Sequence, residues 1–215
     1  MPKLSESLRD NRKLRIEKAA QQLFIKQGFH ATSMRTIAAR AGVSLGNVYN
    51  YYRTKEQILE SIIGRYQKVI DARLHDLFTK LDEPFRPDEL VSFGRAVRAL
   101  VNEHKDYWLL MYIDVLEFEN QHFRKMFENL TKKLRKQFAA YFAKLKREGR
   151  LYEGTDPAVA FTAAYMQFFN YFLVEKLFGG RRHFGLSDEQ VIAKLAEIYC
   201  RGVFRPEKTT SAAQR

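Results

Sequence analysis

The sequence contains a single cysteine, Cys200, among its 215 residues. An intramolecular disulfide needs two thiols, so the class of small secreted proteins held together by disulfides is excluded. One unpaired thiol fits a reducing compartment, and the first 22 residues are polar and charged rather than apolar. We therefore expect a cytoplasmic protein without a signal peptide.

Long apolar runs are also missing. A helix that spans a bilayer needs about 18 to 20 consecutive apolar residues. The nearest approach is the stretch 158–178, which Gln167, Asn170, Glu175 and Lys176 interrupt. The sequence therefore predicts no membrane segment and no membrane partner.

The residue patterns of common catalytic sites are absent as well. There is no glycine-rich phosphate loop and no Gly-x-Ser-x-Gly. The five histidines are scattered, and Glu119-x-x-His122 stands alone, whereas a di-iron bundle needs two such pairs and two further glutamates. We predict no catalytic residues, no metal and no cofactor, because the alternative of a small-molecule enzyme lacks a catalytic constellation.

Positive charge is concentrated in the first quarter of the chain. The whole sequence carries a net charge of +12. Residues 1–55 hold 11 Lys or Arg and 3 acidic residues, an excess of 8, and the other 160 residues hold 26 and 22, an excess of 4. A local excess of this kind attracts phosphates, so it points to nucleic acid as a partner of this segment.

The stretch 33–55 has the anatomy of two short helices joined by a tight turn. Ser33 is a suitable N-cap for the first helix, and Gly42 stands where a left-handed C-terminal cap needs a residue without Cβ. Ser44 can cap a second helix of about two turns, 45–51, which is too short to be stable alone. These features predict a helix-turn-helix, whose second helix enters the DNA major groove.

This stretch resembles the DNA-binding domain of the tetracycline-repressor (TetR) family over roughly residues 12–61. Many ordered residues at fixed spacings carry the resemblance: Gly28-Phe29, Ala31-Thr32-Ser33-Met34-Arg35, Ile37-Ala38, Ala41-Gly42-Val43-Ser44, Val48-Tyr49-Asn50-Tyr51-Tyr52 and Thr54-Lys55-Glu56. Tyr52 is a small departure, because the family often has Phe there.

The resemblance implies which residues touch DNA. The residues expected to read bases are Leu45, Gly46, Asn47 and Asn50. Those expected to bind phosphates are Ser33, Tyr49, Tyr51 and Lys55, and Arg35 is expected to reach either. Asn can pair with adenine through two hydrogen bonds, which makes Asn50 and Asn47 suitable readers. Lys55→Ala should then weaken binding to every DNA sequence and give a shallower salt dependence.

Apolar residues recur with helical spacing throughout, and no strand-like alternation is present, so the predicted fold is all-α with about nine helices. We expect a three-helix DNA-binding domain over residues 1–55, a larger helical domain over 56–204 and a disordered tail over 205–215. Residues 1–9 are expected to be a loose basic tail, and 120–147 one long amphipathic helix.

The larger domain is rich in aromatic residues. Resemblance to the family implies that it binds a ligand and dimerises through its last two helices. The residues proposed to line the ligand pocket are Trp108, Met111, Tyr112, Phe161, Tyr165, Phe168, Phe169 and Phe172. The polar groups that would contact the ligand could come from His104, Asp114, Gln167 and Asn170. An aromatic pocket with a few polar groups suits a small apolar or aromatic effector, although the same residues could simply fill a core.

The sequence thus predicts a ligand-responsive transcriptional regulator, more specifically a repressor. It would bind a palindromic double-stranded DNA operator as a homodimer and be released by a small hydrophobic effector. The alternative is a DNA-binding regulator or architectural protein without small-molecule control.

Overall fold

The computed structural model describes residues 2–179 and 183–205. These ranges contain eleven helices and no β-strand, apart from an isolated antiparallel bridge between Leu151 and Phe204, so the all-α prediction is confirmed. Within the described residues, each helix is too short or too polar to cross a bilayer. The helices are α1 Pro2–Gln27, α2 Met34–Ala41, α3 Leu45–Tyr49, α4 Lys55–Thr79, α5 Pro87–Glu103, α6 Lys105–Glu117, α7 Arg124–Glu128, α8 Leu130–Gln137, α9 Ala139–Arg147, α10 Pro157–Leu177 and α11 Asp188–Val203.

The chain divides into two compact units, which do not follow the predicted division after Lys55. Unit 1 comprises Met1–Arg73 and His104–Phe127, and unit 2 comprises Leu74–Glu103 and Glu128–Arg215. Helix α6 belongs to unit 1 because it packs on α1 and α4. Tyr107 stacks on Tyr66 with ring centroids 5.3 Å apart, and the Gln21 amide donates to Asp106 at 3.1 Å.

In unit 1, the apolar stripe of α1 faces the core as its helical spacing predicts. Ile16, Ala20 and Phe24 are almost completely buried. The expectation of a loose tail over residues 1–9 is wrong, because α1 begins at Pro2. Proline suits the first position of a helix, and no further proline or glycine interrupts the chain before Gly28.

In unit 2, α5 packs against both α10 and α11 at very short range. A Cβ added to Gly94 of α5 would lie 2.8 Å from a ring atom of Phe168 on α10 and 2.9 Å from a methyl carbon of Ile192 on α11. Aromatic rings fill the space beside this contact, and the Phe93 and Phe161 centroids are 5.0 Å apart. The absence of a side chain at Gly94 therefore sets the spacing of three helices.

The prediction of one helix over 120–147 is wrong, because three short helices, α7, α8 and α9, occupy this stretch. Glu119 and Asn120 have φ of 50° and 61°, so a left-handed turn precedes α7. Phe138 interrupts the helix between α8 and α9 with φ −105° and ψ 22°, and its buried ring packs on Phe161 at 5.4 Å. The apolar spacing continues across these breaks, which is why periodicity alone does not reveal them.

Candidate nucleic-acid interface

The helix α2 is closed at both ends by the residues that the sequence suggests. The Ser33 hydroxyl accepts from the Thr36 N–H at 3.1 Å, and the Thr36 hydroxyl accepts from the Ser33 N–H at 3.0 Å. Gly42 ends the helix with φ 64°. Arg15, which the sequence does not single out, donates to the Ala41 carbonyl at 2.7 Å. This bond ties the end of α2 to α1 and fixes where the turn places α3.

The helix α3 is anchored on one side and free on the other. The Ser44 hydroxyl accepts from the Asn47 N–H at 3.2 Å, which confirms the second predicted N-cap. Val48 is completely buried. The four predicted base-reading residues lie elsewhere on α3 and at its end: Gly46 and Asn50 are exposed, and Leu45 and Asn47 are partly buried. Buried Val48 thus leaves the polar side chains available to a major groove.

The four residues predicted to bind phosphates differ in their surroundings, as does Arg35, which is predicted to reach either phosphates or bases. Ser33 and Arg35 are exposed, Tyr49 has half of its surface exposed, and Tyr51 is partly buried. Ser33 and Arg35 lie at the N-terminus of α2, where free N–H groups and the helix dipole favour anions. These positions suit a phosphate backbone, and the individual contacts stay predictions.

Lys55 has a structural role in the protein without DNA, in addition to the phosphate contact that is predicted for it. Its ammonium donates to the carbonyl oxygens of Phe29 at 2.8 Å, Thr32 at 3.1 Å and His30 at 3.3 Å. It also lies 4.4 Å from the centroid of the Phe29 ring. An ammonium has three donors, and all three are engaged here. Lys55 therefore holds the turn between α1 and α2.

A buried polar network joins α1 and α4 to the chain that follows α3. The carboxylate of Glu17, only 2 % exposed, accepts from the hydroxyls of Tyr52 at 2.6 Å and Ser61 at 2.8 Å and from Arg65 Nε at 3.0 Å. Burial, and then the bond to Glu17, raise the pKa of the Tyr52 hydroxyl, so it stays protonated and donates. The one sequence signal for this network was the hydroxyl that distinguishes Tyr52 from Phe.

Comparison with known proteins identifies the domain that contains α2 and α3. Residues 16–62, which contain α2, α3 and their supports, match the family described as Bacterial regulatory proteins, tetR family. Residues 16–62 thus form a TetR-type DNA-binding domain. The match covers the helix-turn-helix and the start of α4.

Curated TetR relatives are similar over part of their length. The transcriptional repressor KstR2 of Mycolicibacterium smegmatis is 29 % identical over 121 residues, 52 % of this chain and 58 % of the relative. The repressor KstR of the same organism is 41 % identical over 69 residues, 32 % of this chain and 33 % of the relative. The chain thus spans less than two thirds of either. Both are named as transcriptional regulators rather than enzymes.

The TetR fold extends over nearly the whole chain. A solved structure of the ketosteroid transcriptional regulator KstR2 of Mycobacterium tuberculosis superposes with a TM-score of 0.61. It is 18 % identical and covers 91 % of this chain and 96 % of its own. Identity at this level shows a shared fold and does not indicate a shared ligand.

Next to the TetR DNA-binding domain, α6 contacts the turn that follows α1. The rings of Phe29 and Phe118 meet edge to face at 4.9 Å, and His30 pairs with Glu117. Asp114, expected to offer a polar group to a ligand in the pocket, is instead fully buried, and its carboxylate is already hydrogen-bonded within the protein. It accepts from the backbone N–H of His122 and of Phe123, both at 3.1 Å, and pairs with the His122 ring.

The predicted pocket residues are divided between the two units. The five on α10 (Phe161, Tyr165, Phe168, Phe169 and Phe172) are buried in unit 2, and Tyr165 stacks on Phe169 at 5.8 Å. In unit 1, Trp108 is buried, Met111 is partly buried and Tyr112 is 38 % exposed. Gln167 and Asn170 lie on the exposed side of α10 and not in the interior. These positions leave the pocket a prediction.

Proposed function

We propose that this protein is a transcriptional regulator that binds a palindromic operator as a homodimer and acts as a repressor. The observation that carries the proposal is α3 itself. It is five residues long, anchored by buried Val48, and presents Gly46, Tyr49 and Asn50 outward from the most basic part of the chain. So short a helix reads few base pairs, and two copies in successive major grooves would supply the specificity.

The homodimer is proposed to form through α10 and α11. Apolar side chains are exposed along these helices: Val159 by 53 %, Met166 by 40 % and Val174 by 40 % on α10, and Ile198 by 59 % on α11. A groove of about 560 Å³ between the two helices is lined by Val159 and Ile198 together with Tyr199. Exposed apolar surface beside a groove favours association with another protein surface.

The effector is proposed to be small and apolar or aromatic. The protein of similar fold, KstR2, is a ketosteroid transcriptional regulator, which supports an apolar class and no particular compound. The five proposed residues on α10 would admit the effector only if rings that now touch one another, such as those of Tyr165 and Phe169, separate. Ligand and operator affinities would then be coupled through a change of conformation, and the ligand would lower operator affinity by its preference for one state.

A regulator without small-molecule control is the second candidate, because the α10 aromatic rings pack as a filled core does. Phe93 and Phe161 lie 5.0 Å apart, and Phe93 and Phe168 lie 6.3 Å apart. Operator affinity at saturating concentrations of bound apolar compounds separates the two candidates. A fall supports effector control, whereas an unchanged affinity supports the second candidate.

Asn50→Ala tests whether α3 reads bases. Loss of a two-bond contact to adenine should reduce discrimination at one base pair of each half-site by about 1–3 kcal/mol, while affinity for random DNA changes little. Fluorescence anisotropy on the operator, on single-base variants and on random duplexes measures this. Asn102→Ala, at an exposed position of α5, is the matched control and should behave as the wild type. Equal losses on operator and random DNA would refute the assignment.

A further inference from the structure

Unit 2 contains a cavity of about 420 Å³ that none of the proposed effector residues lines. Its walls come from three places: the loop between α4 and α5 with the first residue of α5, the first turn of α9 with the chain that follows α9, and the end of α11 with the chain that follows it. The apolar part of the wall includes Phe85, Tyr141, Tyr152 and Phe204, and Cys200 lies beside them. A volume of this size is typical of small-molecule sites, which are concave and mostly apolar.

Two arginines on this wall have no acidic partner among residues 2–179 and 183–205. Four line the cavity, and two of them are neutralised: Arg86 pairs with Asp88, and Arg201 pairs with Glu197 at 2.7 Å. The acidic lining residue, Glu83, is paired with Lys144 at 3.2 Å. In the part of the chain that the structure describes, Arg150 and Arg205 form no ion pair with a carboxylate. The local charge of the cavity is therefore positive.

Backbone bonds hold these two arginines next to each other. The Arg205 N–H donates to the Arg150 carbonyl at 3.0 Å, and the Tyr152 N–H donates to the Val203 carbonyl at 3.3 Å. The isolated bridge between Leu151 and Phe204 lies between these bonds. The Arg150 guanidinium lies 5.3 Å from the centroid of the Phe204 ring, and that ring meets Phe85 edge to face at 5.5 Å. A guanidinium that is already stacked loses less freedom when it binds an anion.

We propose that this cavity is a binding site for a small carboxylate with an aromatic or aliphatic body, the carboxylate facing Arg150 and Arg205 and the body lying among Phe85, Tyr141 and Phe204. Guanidinium groups match carboxylates in shape and charge. The aromatic wall would remove the apolar body from water. The site is separate from the proposed effector pocket, so it can be present whether or not that pocket exists.

The test uses the full-length protein with 2-naphthoate and its neutral analogue 2-naphthamide, measured by isothermal titration calorimetry. 2-Naphthoate should bind at least about tenfold more tightly than 2-naphthamide, and Arg150→Gln should remove about tenfold to hundredfold of its affinity. Arg147→Gln removes the same charge from an exposed position at the end of α9 that does not line the cavity, and it should bind as the wild type. Arg205→Gln supplies a second lining variant should Arg150→Gln not fold.

Cys200 reports occupancy of this cavity directly, because it is the one cysteine in the sequence. Burial raises the pKa of its thiol, so alkylation is slow and can be followed by intact mass. 2-Naphthoate should slow alkylation in proportion to its occupancy. Equal affinity for the two probes, wild-type affinity in the lining variants, or binding of 2-naphthoate without protection of Cys200 would each overturn the proposal.

Discussion

Tyr52 shows how one hydroxyl can couple two helices. Its ring is buried, and its hydroxyl donates to Glu17 on α1 at 2.6 Å while lying 3.1 Å from Ser61 on α4. The apolar part of this residue follows from the sequence, since the position belongs to a run typical of the family. The polar part does not, because nothing in the sequence indicates that residues separated by 35 positions, Glu17 and Tyr52, meet in the fold.

Tyr52→Phe should therefore lower the free energy of unfolding by about 1–3 kcal/mol, the usual contribution of a hydrogen bond to a charged group. The ring still fills its space, and Glu17 keeps Ser61 and Arg65 as donors, so the fold should persist. Urea unfolding followed by circular dichroism should show a lower midpoint with an unchanged slope. An unchanged midpoint would contradict the importance of the bond.

Substitutions of Lys55 and Arg35 distinguish a role in folding stability from a role in phosphate binding. Because Lys55 holds three carbonyls of the turn after α1, Lys55→Ala should lower the free energy of unfolding by about 1–2 kcal/mol, whatever it does to DNA binding. Arg35→Ala removes the same charge from an exposed position, so it should leave stability unchanged. It should also make the salt dependence of DNA binding shallower by about one unit. Equal stability of the wild type and Lys55→Ala would exclude the structural task.

Among the helices, the sequence predicts those ends that a capping residue or a glycine marks. It does not predict breaks in a helix that no such residue marks. Ser33, Gly42 and Ser44 act locally, within a few residues, and their predicted positions are confirmed. The break between α8 and α9 falls at Phe138, whose ring packs on Phe161 in a tertiary contact. The cavity near Arg150 likewise combines lining residues from Glu83 to Arg205, so no local pattern could predict it.

The contact of α5 with α10 and α11 gives a test at the level of helix packing. Gly94→Ala would place a Cβ 2.8 Å from Phe168 and 2.9 Å from Ile192, and the rings and helices would have to shift. Overpacking of this kind costs about 1–3 kcal/mol, seen as a lower thermal midpoint. Gly64→Ala, in a helix with open space around it, is the control and should be neutral or stabilising by up to about 1 kcal/mol. Equal behaviour of the two variants would contradict the close packing.

For the whole molecule, we propose that α3 reads DNA and that α10 and α11 pair two such helices. The first assignment follows from sequence motifs and the TetR match over residues 16–62. The second is implied by the family resemblance, and the exposure of apolar side chains on α10 and α11 supports it. Ile198, for example, belongs to the apolar spacing of α11, yet 59 % of its surface is exposed. The sequence alone does not distinguish such a residue from one in the core.

Selection of binding sites from a random duplex library tests the central claim most directly. Wild-type protein should enrich an inverted repeat whose half-site centres lie about 34–36 Å apart or a multiple of this. Ile198→Glu should weaken dimerisation and with it the preference for the paired repeat, whereas Leu116→Glu, at an 80 % exposed position of α6, should select as the wild type does. Enrichment of no sequence by the folded wild-type protein, or of single half-sites only, would contradict the account.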